Sequence, residues 1–197
     1  MNNRPEALAR FRKKLERFAH LPDEDFQHIA DVMHERHLNK GEVLLREGQV
    51  CKEYYFVFSG CIRCFGLEDG REKNVGFFFE DDTACDFISY ISGRPSQFYL
   101  VAMEDSIVYF AIKTEAQPLF RGDPSLQFLV LRVFQDLFVK LEEHSNTFKL
   151  LSPDERYHYL LEHDPKYLQR IPLSHLASYL GMSRETLTRI RKKDMLA

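Results

Sequence analysis

Between residues 38 and 143 this 197-residue chain has no histidine at all, and residues 1–50 contain no cysteine. A metal-dependent enzyme on a β roll of the cupin kind needs a His-x-His, a carboxylate and a further histidine converging from strands. Without those imidazoles the enzyme reading falls. The missing early cysteines likewise exclude an N-terminal iron–sulfur cluster. No apolar run approaches twenty residues, so no membrane-spanning helix is expected. The opening MNNRPEALARFRKK lacks the apolar segment of a secretion signal, and a cytoplasmic location follows as the expectation. Cysteine is scarce, at positions 51, 61, 64 and 85, and reads as four buried thiols rather than a disulfide frame. Cys61 and Cys64 form a CxxC, but on a strand residues three apart face opposite ways, and one pair is too few ligands for a metal. Internal repeats and low-complexity tracts are absent.

What is present is concentrated in residues 173–193, LSHLASYLGMSRETLTRIRKK. Leu176 and Leu180 lie four apart on one short helix, with the small Ala177 beside them where a second helix can cross closely. Gly181 stands where a helix ends in a left-handed residue, and Ser183 can cap the next helix. Leu187 and Ile190 fold back onto Leu176, Leu180 and Met182 at helical spacing. This turns Arg184, Glu185, Thr188, Arg189 and Lys192 outward. Arginine pairs bidentately with guanine and glutamate accepts from cytosine, which suits such a face to the major groove of DNA. The charge agrees: residues 165–197 carry seven Lys or Arg against two acids, and residues 1–164 carry twenty against twenty-eight.

Along the chain, residues 5–35 show apolar steps of three and four (Leu8, Phe11, Leu15, Phe18; Phe26, Ile29, Met33) and predict one or two amphipathic helices. From Glu42 to Ile112 short β-rich runs alternate with turn signals, the clearest being Asp69-Gly70, and predict an antiparallel sandwich or roll. A short helix is expected at Phe87–Ile91. A long helix is predicted from Pro124 to about Leu150. Val130, Phe134, Leu137, Leu141, His144 and Phe148 form its heptad seam, so the helix is expected to pair with a copy of itself, while Leu126, Leu129, Val133 and Phe138 pack on the chain's own β domain. Ser152-Pro153 caps a further helix ending by His163-Asp164-Pro165. The fold class is therefore α+β, with a β-roll domain at 1–123, a dimerisation helix at 124–151 and a helix-turn-helix domain at 152–197.

This order resembles the catabolite activator and FNR (Crp/Fnr) family of bacterial transcription regulators over nearly the whole chain. The most specific parts are LNKGEVLLREGQVCKEYYFVFSGCIR, similar to the opening strands and glycine turns (Gly41, Gly48, Gly60) of a cyclic-nucleotide-binding fold, and SRETLTRI in the recognition helix. The resemblance implies base contacts for Arg184, Glu185 and Arg189 and a phosphate contact for Ser183. Lys192 is added as a phosphate contact on charge grounds, with Thr188 on the same face. Nucleotide-binding members carry Gly-Glu at the start of a short helix and an Arg followed by Ser or Thr at its far end. Here the matching places read Cys85-Asp86-Phe87 and Pro95-Ser96-Gln97-Phe98, with Arg94 two residues early and Asp81, Asp82 and Asp86 adding negative charge. Cyclic AMP and cyclic GMP are thus not expected as cofactors. Another small-molecule effector stays open, with Phe79, Asp86, Phe87, Arg94, Gln97 and Phe98 as its candidate pocket. The abundant aromatics of the β domain read mainly as core. His20, His28, His34 and His37, read as helical, are taken as surface or structural rather than haem ligands. Many relatives follow the recognition helix with a DNA-touching β hairpin, for which the residues after Lys193 are too few.

The expected function is a homodimeric, sequence-specific DNA-binding regulator on a palindromic site, with a G·C pair opposite the Arg-Glu pair. Its partners would be double-stranded DNA, a second copy and RNA polymerase, with no membrane. The alternative is a nucleotide-sensing module that regulates a partner protein.

Overall fold

A computed structural model describes residues 3–194. Its chain falls into two compact units, Met1–Gly66 with Phe77–Asp136, and Leu67–Gly76 with Leu137–Ala197. The long helix is thus shared between them rather than standing apart.

Helices α1 (Arg4–Leu15) and α2 (Asp23–Asp31) precede two four-stranded antiparallel sheets, whose strands belong to the first unit except in the hairpin Leu67–Gly76, which belongs to the second. One sheet has the order β1 (His34–Leu38), β8 (Ser106–Ile112), β3 (Glu53–Ser59), β6 (Thr83–Ala84); the other runs β2 (Val43–Leu45), β7 (Tyr99–Ala102), β4 (Ile62–Glu68), β5 (Arg71–Phe78). The first sheet is covered on both faces. Tyr55 and Val57 of β3, with Val108 and Phe110 of β8, enter one core with Leu38, Ile62 and Leu100. Their neighbours Phe56, Phe58, Tyr109 and Ala111 enter a second core with Phe11, Ile29, Leu126 and Leu129. Two-sided burial explains why YYFVF and SIVYFAI are continuous apolar runs rather than alternating ones, a pattern usual where both faces of a sheet are covered.

Local signals place the turns. Asp69 and Gly70 both take positive φ, 52° and 74°, as a two-residue hairpin turn requires. Gly60 has φ 97°, and a Cβ there would lie 2.1 Å from Ser106 Oγ, so only glycine fits. Between β6 and β7 lies α3 (Phe87–Ser92), and after β8 come α4 (Lys113–Gly122) and α5 (Pro124–Leu150). The second unit continues with α6 (Pro153–His163), α7 (Pro165–Arg170), α8 (Leu173–Leu180) and α9 (Arg184–Asp194).

Several elements depart from the sequence reading. The β structure begins at His34, so His34 and His37 stand on β1 and not on a helix. Met33, given a helical step, lies past the end of α2 yet is buried beside Ile29. Helix α4 was not foreseen, because Pro118 sits inside it. The sequence reading gave no element between Pro165 and Pro172, where the structure holds α7, whose proline occupies the first turn where no amide donor is needed.

Candidate nucleic-acid interface

The second unit assembles its helical pair as the sequence reading requires. Leu176, Ala177, Leu180, Leu187 and Ile190 are buried, with Leu176 and Leu187 wholly so. Gly181 is left-handed at φ 68°, and the amide of Met182 donates to the Ala177 carbonyl at 3.0 Å, satisfying an otherwise orphaned carbonyl of α8. Ser183 Oγ then accepts from the Thr186 amide at 3.1 Å, capping α9.

With Leu187 and Ile190 turned inward, Arg184, Glu185, Thr188, Arg189 and Lys192 line one open groove on the outer side of α9. All but the half-buried Thr188 are exposed. The Thr188 hydroxyl donates back to the Arg184 carbonyl at 2.8 Å, so its methyl is the part left for a partner. Glu185 has its pKa lowered by its own backbone amide and by the Ser183 hydroxyl. It therefore remains a carboxylate and an acceptor. The five residues expected on the outward face are brought together, and Ser183 stands at the start of the helix as its cap, with its Oγ also 3.1 Å from Thr186 Oγ1. The tail after Asp194 lies outside the described residues.

Two residues that sequence reasoning missed hold this pair in place. Arg156 on α6 donates to three carbonyls at helix ends: Leu151 at 3.0 Å, Leu180 at 3.1 Å and Phe148 at 2.7 Å. These are carbonyls that helix ends leave unpaired, and a single arginine among many gives no sequence signal for the role. Asn74, in the hairpin segment that belongs to this unit, is buried, donating its amide to Ser178 Oγ at 3.0 Å and its side-chain nitrogen to the His175 carbonyl at 3.3 Å. Only its spacing from Asp69-Gly70 could have hinted at it.

The seam of α5 is only partly free within one chain. Val130 and Phe134 face a cavity of the first unit, and the Phe134 ring meets Phe87 edge-on at 6.2 Å. His144 and Phe148 pack on Tyr179, with His144 Nε2 3.1 Å from the Tyr179 hydroxyl. Burial among these rings lowers the pKa of His144 and pushes that of Tyr179 up to about 12. Leu137 is half-buried. The large apolar side chains that α5 exposes include Phe128, Leu131, Phe138, Val139 and Leu141. Phe138, assigned to the chain's own β domain, is 67% exposed and makes no core there.

The six residues expected to line an effector pocket differ in exposure. Phe79 is in the interior, Arg94 and Gln97 are exposed, and Phe98 packs on the first core with Phe87. Asp86 is buried and fully engaged, accepting from the Ser89 amide at 3.1 Å as the cap of α3 and from the Ser96 hydroxyl at 2.7 Å. The position where a nucleotide phosphate would need donors thus holds an internal carboxylate that already consumes them. All four cysteines are buried free thiols, with Cys51 and Cys85 sulfurs 3.8 Å apart. Burial pushes the Cys64 thiol up to about 12. Among the described residues no group of three or more His, Cys, Asp or Glu is placed to hold a metal ion, and no helix is long and apolar enough to cross a membrane.

Residues 35–123 match the family model of the cyclic nucleotide-binding domain. No curated protein matches the sequence at a significant level. Solved structures do. FixK2 from Bradyrhizobium japonicum superposes with a TM-score of 0.68 at 22% identity, over 82% of this chain and 84% of that one. A protein from Eubacterium rectale ATCC 33656, assigned to the crp/fnr family of transcriptional regulators, gives 0.67 at 18% identity over 89% and 84%. The catabolite activator protein of Thermus thermophilus gives 0.58 at 22% identity over 91% and 85%. An antiparallel roll, a long helix and further helices in this order are the fold that these proteins share with the chain.

Proposed function

We propose that this chain, a cyclic nucleotide-binding domain on the fold of the Crp/Fnr-family regulators, is itself a sequence-specific DNA-binding transcription regulator of the cytoplasm. One observation carries the reading: Arg184, Glu185, Thr188, Arg189 and Lys192 share one open groove on a helix whose opposite face is buried. A helix presented in this way can enter a major groove with its N-terminal residues toward the base edges. Arg184 and Arg189 would each read a guanine through O6 and N7, and Glu185 a cytosine amino group. Ser183 and Lys192 would position the helix on phosphates.

The working form is a homodimer on a palindromic site. Supporting this, Leu131, Phe134, Phe138 and Leu141 follow one another at steps of three and four on α5, and three of the four are more than half exposed. Such spacing forms the seam of paired helices. Compared with the seam read from sequence, it keeps Phe134 and Leu141 and adds the exposed Leu131 and Phe138. The engaged carboxylate of Asp86 supports a regulator that does not depend on cyclic AMP or cyclic GMP.

Selection of bound sequences from random DNA by the full chain, with and without cyclic AMP, tests the reading. An inverted repeat with a G·C pair in each half-site, recovered equally in both conditions, is expected. A nucleotide requirement would overturn the account of Asp86, and recovery of no motif would overturn DNA recognition. Leu131→Glu/Phe138→Glu should yield a monomer by sedimentation.

A further inference from the structure

The first unit contains an apolar cleft of about 190 Å³, partly open to solvent and walled by α1, α3, α4, α5 and β3, with Phe18, Tyr54, Phe87, Phe120, Val133 and Phe134 among its lining. Small-molecule sites are concave and mostly apolar, and an apolar space of about 150 Å³ takes up benzene, so this size and lining match a one-ring hydrocarbon. Lys14, Thr83 and the Tyr54 hydroxyl at its margin are already engaged. Lys14 donates to the Asp81 carbonyl at 2.6 Å and to Thr83 Oγ1 at 2.9 Å, and the Tyr54 hydroxyl donates to Met33 Sδ at 3.7 Å. A charged guest would have to displace these bonds. A neutral one leaves them intact.

We propose that this cavity is the binding site of a small neutral apolar molecule, of the size of a single aromatic ring with a short substituent. Its wall joins α3, α4 and β3, within the matched residues 35–123, to α1 and α5, which lie outside them. Its guest would sit beside the edge-on contact of Phe87 on α3 with Phe134 on α5. Val130 and Phe134, which belong to the long helix, would therefore sense occupancy directly. Only that last coupling rests on the proposed DNA-binding role; the binding itself does not.

Toluene is a suitable probe, with binding to the full chain followed by ligand-observed NMR and calorimetry. Saturable binding is expected for the wild type, weakened at least tenfold in Val133→Phe, which fills the space. Phe120→Ala enlarges the cavity and should admit naphthalene more tightly than the wild type does. Absence of toluene binding to the wild type would overturn the proposal, as would equal binding by a folded Val133→Phe. If Val133→Phe does not fold, naphthalene binding unchanged by Phe120→Ala overturns it. DNA binding measured on the same samples separates the two readings: lost DNA recognition with intact toluene binding counts only against the regulator, and the reverse only against the cavity.

Discussion

Two short helices in this chain begin in the same way and end in opposite roles. Helix α9 is capped by the neutral hydroxyl of Ser183, and the residues that follow, Arg184 and Glu185, point into solvent. Helix α3 is capped by the carboxylate of Asp86, which is buried and shared with the Ser96 hydroxyl, and the residue that follows, Phe87, goes into an apolar core. A helix N-terminus favours negative charge. At α3 the protein supplies that charge from its own chain. At α9 a neutral cap satisfies the amide without filling the space in front of the helix. The two caps thus differ in charge: at α3 a buried carboxylate comes from within the chain, and at α9 a neutral hydroxyl leaves the helix end uncharged.

The sharpest way to break this contrast is at α9. Arg184→Ala/Arg189→Ala should lower affinity for the selected site by about two to four orders of magnitude, since each bidentate arginine–guanine pair contributes about 1–3 kcal/mol of discrimination. Fluorescence anisotropy would register this, with the thermal midpoint unchanged because both side chains are exposed. Next in size is Asp86→Ala, which strands the Ser89 amide, leaves the buried Ser96 hydroxyl only the Phe98 carbonyl as acceptor and should cost about 1–3 kcal/mol in urea unfolding. A folded Asp86→Ala that gains affinity for cyclic AMP would sharpen the comparison by showing that the carboxylate alone blocks the anion.

Ser183→Ala should cost about 1 kcal/mol through loss of the cap while leaving the five-residue face in place, so DNA affinity should fall far less than in the arginine variant. The smallest effect is expected from pH. His158 on α6 has its pKa raised by the Asp154 carbonyl and by Asp194, whose carboxylate on α9 lies 3.1 Å from its Nε2. The folded state holds this proton more tightly than the unfolded one. Its stabilisation is therefore full below the ordinary histidine pKa of 6.5 and lost as pH rises through the raised value. Thermal melts between pH 6 and pH 8 should show a small loss of stability that His158→Gln removes.

The helical pair was legible because each of its signals is local. Gly181, Ser183 and the apolar steps of Leu176, Leu180, Leu187 and Ile190 act within a few residues of one another, and so the outward face follows from the inward one. The turns at Asp69-Gly70 and Gly60 were equally readable, since a positive φ leaves glycine with few competitors. The α3 region was only half legible. Its missing glycine and arginine could be counted, but the burial of Asp86 and its bond to Ser96, ten residues away, needed the chain to close on itself. β1 and α4 escaped for a related reason: HERHL carries no strand-like alternation, and Pro118 argues against a helix that is held by packing of Ala116 in the interior.

By itself, the amino-acid sequence determined the order of elements, the capped reading helix and its charge, because these depend on spacing of 2 or 3.6 residues and on single-residue backbone preferences. Only the tertiary structure decided which face of α5 stays exposed, that Arg156 joins the ends of two helices through three carbonyls, that Asp86 is buried against Ser96, and that an apolar space lies between α3 and α5. Those outcomes arise from groups far apart in the chain competing for the same volume and the same donors. No local spacing encodes that competition.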